Sequence, residues 1–399
     1  MGFLMKARSK YYIDSHGNIK SLSISLIVLA AILITGCTQP LVFKYMSSKE
    51  SGHFMFGKTP QRTFYETDPI DENIELKWSA ETSGSQSNSS VVIYRDILFV
   101  TDLSGRIYGL NRETGKTFGY EKYPGAVSTA PVINGVRMFF VVNNINEKYS
   151  TFINYDLANG KVLIQSIITG SVQNELLKLE NGILVLSDSG ELIKYNLVGS
   201  QEWAVKTNVI SRSSPASDGE SVLFGNKNGE LIAVSLSNGK IKYRNKISGG
   251  IEGGVCIDGE NAYFGDNSGN IFSVRIADGI INWEFNTHKK ILATPVYDNS
   301  KIIIGNLGGE IFCINKNDGK LIWHTLTGGV INTTPLLSQT FLIQPDYNKK
   351  VYFMDIQDGK IKRTIEFEGR MKLSPVWYDG VLYLGSDKGK ISAYARTRN

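Results

Sequence analysis

The stretch PVYDNSKIIIGNLGGEIFCINKNDGKLIW, residues Pro295 to Trp323, decides the fold. It reads as four short apolar runs separated by turn signals. Pro295-Val296-Tyr297 ends in Asp298-Asn299-Ser300, and Lys301 to Gly305 ends in Leu307-Gly308-Gly309. Glu310 to Ile314 ends in Asp318-Gly319, which leads into Lys320 to Trp323. Asx-Gly pairs supply the positive-φ positions that tight hairpins need. Runs this short and β-rich, with no helical period and no caps, predict four antiparallel strands.

Outward from this stretch the pattern repeats every 40 residues. Pro295, Pro335 and Pro375 keep that spacing, and Val255, Pro215 and, less clearly, Glu175 continue it backwards. Pro131 lies 44 residues before Glu175, which places an insertion of about four residues near positions 143–149; Val91 is the first opening. The Asx-Gly turns recur at Asn238-Gly239, Asp278-Gly279, Asp318-Gly319 and Asp358-Gly359. An aromatic residue follows the turn, giving Trp78, Phe118, Trp203, Tyr243, Trp283 and Trp323; Arg363 replaces it in the seventh unit.

Four strands in about 40 residues, eight times over, is the arithmetic of an all-β, eight-bladed β-propeller with four-stranded antiparallel blades. One such sheet cannot bury both faces alone, so blades stack radially and the recurring aromatics are expected to fill the gaps between them. The unit opening at Pro375 has room for three strands before Asn399. Glu75 to Ala80, carrying Trp78, is the expected fourth, an N-terminal strand that closes the last blade and removes two exposed edges.

Composition agrees. At 399 residues and 42% hydrophobic, the chain is neither a disordered polymer nor a disulfide-stapled miniprotein. The net charge of +5 suggests nucleic acid until it is located. Lys6, Arg8, Lys10 and Lys20 face only Asp14 in the first 36 residues, and without these the chain is at +2. A near-neutral body of this size has no electrostatic footprint for nucleic acid.

The uncharged run Leu22 to Thr35 behind those bases has export-signal length and is short for a membrane span of about 20 residues. It ends in Ile34-Thr35-Gly36-Cys37, which resembles the bacterial lipobox. That resemblance implies a signal peptide over 1–36, acylation of Cys37 by diacylglycerol and palmitate-type chains, a polar tether over 37–73 and a propeller over 74–399. The alternative is a retained signal anchor with Cys37 a buried thiol, and Met5 is a second candidate start. Cys256 and Cys313 read as two buried thiols, with a periplasmic disulfide as the alternative.

Asp/Asn-Gly-Lys followed by Trp resembles the repeat of the quinoprotein propeller superfamily over about 320 residues. One branch holds pyrroloquinoline-quinone dehydrogenases, which implies a quinone, a calcium or lanthanide ion and commonly an adjacent Cys pair; this sequence has no adjacent Cys. The other branch is the BamB family of lipoproteins. It implies a non-enzymatic, cofactor-free scaffold, monomeric within the β-barrel assembly machinery and anchored by lipid to the outer membrane with its propeller in the periplasm. Thr38, where inner-membrane retention would favour Asp, fits that sorting. The family's partner segment maps onto Val209, Ile210 and Arg212, although Arg212 stands two residues nearer the Pro and Val209/Ile210 replace Leu. The alternatives are a periplasmic dehydrogenase, another small-ligand-binding propeller, or a scaffold for a different envelope complex.

Linear chemistry is sparse. His53, His288 and His324 lie in different phases without metal-ligand spacing, and no Ser sits in a Gly-x-Ser-x-Gly elbow. Asp278, Asp318 and Asp358 are explained as turn residues. No catalytic residue and no metal ligand is expected, although a site assembled from several blades would leave no linear motif.

Overall fold

In the sixth unit, Val296–Tyr297, Lys301–Gly305, Glu310–Asn315 and Leu321–Leu326 form one antiparallel sheet in chain order. The chain is described by a computed structural model over residues 40–44, 51–247 and 249–396; Ile34, Thr35, Gly36 and Cys37 lie outside the described residues. Seven further sheets repeat this order, giving an eight-bladed propeller. The middle strands of a blade are apolar on both faces because each face meets a neighbouring blade, as Ile302, Ile303 and Ile304 show by full burial. The outer strand alternates, since its edge meets solvent.

Blade 8 closes as the sequence predicts. Val376–Tyr378, Val381–Gly385 and Lys390–Arg396 take their fourth strand from Ile74–Glu81, paired from Ile74 opposite Arg396 to Glu81 opposite Lys390. In blade 2 the extra residues lengthen a hairpin, Arg137–Asn144 against Tyr149–Asp156, beside the nine-residue outer strand Lys161–Thr169.

The seams explain why the turn glycines and the aromatics share one period. The Trp283 indole of blade 5 donates to the Lys316 carbonyl of blade 6 at 2.8 Å, and a Cβ on Gly319 would stand 2.9 Å from that indole. Gly319 is therefore fixed twice, by its φ of 72° and by the ring lying on it. Trp203, Tyr243 and Trp323 donate in the same way to Leu236, Ile276 and Ile356, and Trp78 donates to Arg112. Arg363 donates to Glu72 at the seam of blades 7 and 8. Between blades 2 and 3, Asn154 donates to the Val198 carbonyl.

Phe118 is not part of this series. Four residues after its turn glycine, Gly119 stands opposite Gly109 in the place that Trp283 holds opposite Ser273, beside the bulge that both blades share. Phe118 lies in the bulge and is 39% exposed. The slot left by the two glycines is filled by Pro40 to Lys44. A Cβ on Gly109 would stand 2.9 Å from Leu41, and the Phe43 N–H donates to the Leu157 carbonyl at 2.7 Å. That carbonyl is blade 2's counterpart of Lys316.

Residues 40–66 thus differ from the polar tether expected over 37–73. Apart from 45–50, which lie outside the described residues, they are laid into the ring. Gly52–His53 pairs with the inner strand of blade 1, Val92–Tyr94, and Tyr65–Glu66 with that of blade 7, Leu336–Ser338. The reason is composition: Leu41, Met55, Phe56 and Phe64 are apolar enough to be drawn into the core, where all are buried.

Candidate functional site

Eight inner strands surround the propeller axis, and the segment from Ser51 to Glu66 fills one end of the space they enclose. Its backbone carbonyls accept from inner-strand N–H groups around the ring: Phe54 from Ile133, Pro60 from Ser217, Gln61 from Ile257 and Phe64 from Leu337. Arg62 is the hub. Fully buried, it donates to the carbonyls of Phe56, Pro215, Glu175 and Leu176, tying blades 3 and 4 to the inlay. Burial lowers its pKa to about 10, so it is a cation at neutral pH. His53, also buried, is pushed down to about 3 by burial and then by Lys58, and it is neutral.

The opposite end is open. There the segments leading into the inner strands line a cavity of ≈ 430 Å³, floored by Phe56. Its wall is hydroxyl- and amide-rich, with Ser87, Asn88, Gln173 and Thr334 among the lining groups. Glu175 is buried in this wall where five of the other blades carry Pro and two carry Val; its Oε2 accepts from the Ala130 N–H at 3.0 Å. Burial raises its carboxyl to about 7, against the opposing effects of Ser89 and Arg62.

The partner-segment residues divide. Arg212 is exposed and lines the open mouth beside Glu252, whose carboxyl stays below its usual range because its contacts with Asn267, Lys290 and Arg212 outweigh burial. Ile210 is exposed and Val209 packs half-buried on the core of blades 3 and 4. The aromatics Trp78, Trp203, Tyr243, Trp283 and Trp323 are in the seams and line no cavity wall at the mouth. Cys256 and Cys313 are buried free thiols in blades 5 and 6. Sequence reasoning missed Arg62, Leu41 and Phe43; the run Phe54-Met55-Phe56 inside an expected tether was the available signal.

A family model described as outer membrane protein assembly factor BamB matches residues 70–285 and 274–398. Among solved structures, BamB from Moraxella catarrhalis superposes with a TM-score of 0.70 at 15% identity, covering 81% of this chain and 99% of that one. A quinohemoprotein alcohol dehydrogenase from Comamonas testosteroni gives 0.70 at 10% identity, covering 87% and 81%. These likenesses show the fold. A polyvinylalcohol dehydrogenase from Sphingopyxis sp. (strain 113P3) is 40% identical over 60 residues, 15% of this chain and 9% of that protein's length. The chain belongs to the BamB family.

Among the described residues no three His, Cys, Asp or Glu side chains gather as a metal group, and the lining holds no indole and no thiol. Nor is any helix among them long and apolar enough to cross a membrane.

Proposed function

Starting from membership of this family, we propose that the chain is a lipid-anchored, non-enzymatic scaffold of the bacterial envelope that assists assembly of outer-membrane β-barrel proteins. Cys37 is the acylated residue in this reading, and acyl chains hold the propeller to the periplasmic side of the outer membrane, since two or more chains anchor stably where one is marginal. One observation supports the choice of scaffold over enzyme: the chain's own residues 51–66 fill one end of the axial space, leaving an open cup at which no three His, Cys, Asp or Glu side chains gather among the described residues. Arg212, which lines the open mouth, and Ile210, exposed two residues before it, are the proposed partner contacts. The partner is the barrel-assembly machinery. Affinity purification of the lipidated chain from detergent-solubilised envelopes is expected to recover barrel-assembly subunits, and Arg212→Glu to reduce that recovery. Recovery of none would end the proposal.

The short identity to a polyvinylalcohol dehydrogenase favours a second reading, a quinone-dependent alcohol oxidation at the cup. Calorimetry with pyrroloquinoline quinone and Ca²⁺ separates the two: saturable binding together with dye-linked alcohol oxidation would replace the scaffold by an enzyme.

A further inference from the structure

Seven seams of the ring are closed by a side chain that donates to a carbonyl of the next blade. The eighth, between blades 1 and 2, is closed by Pro40 to Lys44. Leu41 is fully buried there, its N–H 3.2 Å from Glu121 Oε1 on the outer strand of blade 1. The Tyr155 hydroxyl of blade 2 lies 2.7 Å from the same carboxylate and 3.2 Å from the Leu41 carbonyl. Phe43 stands edge-on to Phe99 and Phe118 of blade 1. Gly109 and Gly119 vacate the space. This is a fitted dock, and its upstream end, Pro40, is exposed one residue before the Leu41 N–H that meets Glu121 on the outer strand of blade 1.

We propose that the wall at the seam of blades 1 and 2 is the surface that faces the lipid bilayer. The inference rests on acylation of Cys37. From Cys37 to Pro40 the extended chain reaches at most about 11 Å, so the acyl chains cannot leave the neighbourhood of this wall. The wall suits a bilayer. Phe118 on the outer strand of blade 1, and Leu163 and Ile167 on that of blade 2, are exposed apolar side chains, Ile167 at 74%. Lys44, Lys116 and Lys161 are exposed around them and complement anionic headgroups. The ring therefore stands with blades 1 and 2 at the membrane, and the open mouth and blades 4 to 6 remain available to protein partners. A leash of 36 residues would impose no such orientation; a dock three residues from the lipid does.

The test uses the full, lipidated chain in vesicles of phosphatidylethanolamine and phosphatidylglycerol. An environment-sensitive fluorophore is placed at Gln165→Cys, on the seam wall, or at Glu284→Cys, on the outer strand of blade 5 across the ring. Spin-labelled lipid is expected to quench the first several-fold more than the second. Inserting a long Gly-Ser spacer between Gln39 and Pro40 keeps the dock but frees the anchor, and is expected to abolish the difference. Equal quenching at both sites in the native chain, or a difference that survives the spacer, overturns the orientation while leaving acylation intact. Mass analysis that finds no lipid on Cys37 overturns the anchoring reading itself, and this inference with it.

Discussion

The seam between blades 6 and 7 and the seam between blades 1 and 2 solve one problem with different material. In the first, Trp323 donates to the Ile356 carbonyl, 33 residues on, and its ring covers Gly359. In the second, two facing glycines leave a slot, and a segment 114 residues upstream of blade 2's Tyr155 fills it. In both, a turn carbonyl gains a donor and the gap between two sheets is filled. What a seam requires is therefore volume and one N–H, since an unfilled gap and an orphaned carbonyl are both costly. A repeat supplies them from within its own period. The N-terminal inlay supplies them once, and it gains contacts with most of the ring in doing so.

The largest expected effect tests whether the inlay matters more than any one repeat residue. Arg62→Leu leaves four buried carbonyls without their shared donor and is expected to cost about 5 kcal/mol in denaturant unfolding. Trp323→Ala, at a repeated seam, is expected to cost about 3–4 kcal/mol in the same measurement. A larger loss there than at Arg62 would reverse the comparison. Where the two regions meet, Glu175 makes stability depend on pH. Its folded pKa of about 7 lies above the ordinary value of 4.5, so the folded state holds the extra proton between these values. Its contribution is complete below pH 4.5 and lost as pH rises through 7, by up to about 3 kcal/mol. Glu175→Gln is expected to remove that slope from the unfolding profile between pH 5 and 8. The smallest effect is at the slot. Gly109→Val drives a side chain into Leu41 and Phe43 and is expected to cost about 2 kcal/mol. Limited proteolysis should then cut after Lys44.

What could be read from the sequence follows the same division. Trp283 and Gly319 announced themselves because they touch, and a contact between equivalent blades must keep the period. The strand carrying Trp78 was legible as the missing quarter of blade 8 for the same reason. Arg62, Leu41 and Phe43 occur once, so no spacing marks them, and their surroundings of Lys, Thr and Ser resemble a tether. Phe118 misled by one residue, because it stands three positions after Gly115 where Trp283 stands four after Gly279, and the pairing with Gly109 gives the seam position to Gly119. Glu175 was visible as a break in the series of prolines, although nothing in one sequence tells that its carboxyl is buried. The cup at the mouth gathers single residues from many blades, and such a site has no linear signature.

The strand Ile74–Glu81 also sets a timetable. It is made long before its partner Lys390–Arg396; the hydroxyls of Ser79 and Ser392, 2.9 Å apart in the ring, are separated by 313 residues of chain. Until Lys390–Arg396 arrives, the growing chain has two raw edges and no closed circle, and contacts of such long range form slowly. Closure of the ring is thereby postponed until Lys390–Arg396 has been made. A molecule that lacks Lys390–Arg396 loses the clasp that closes the circle.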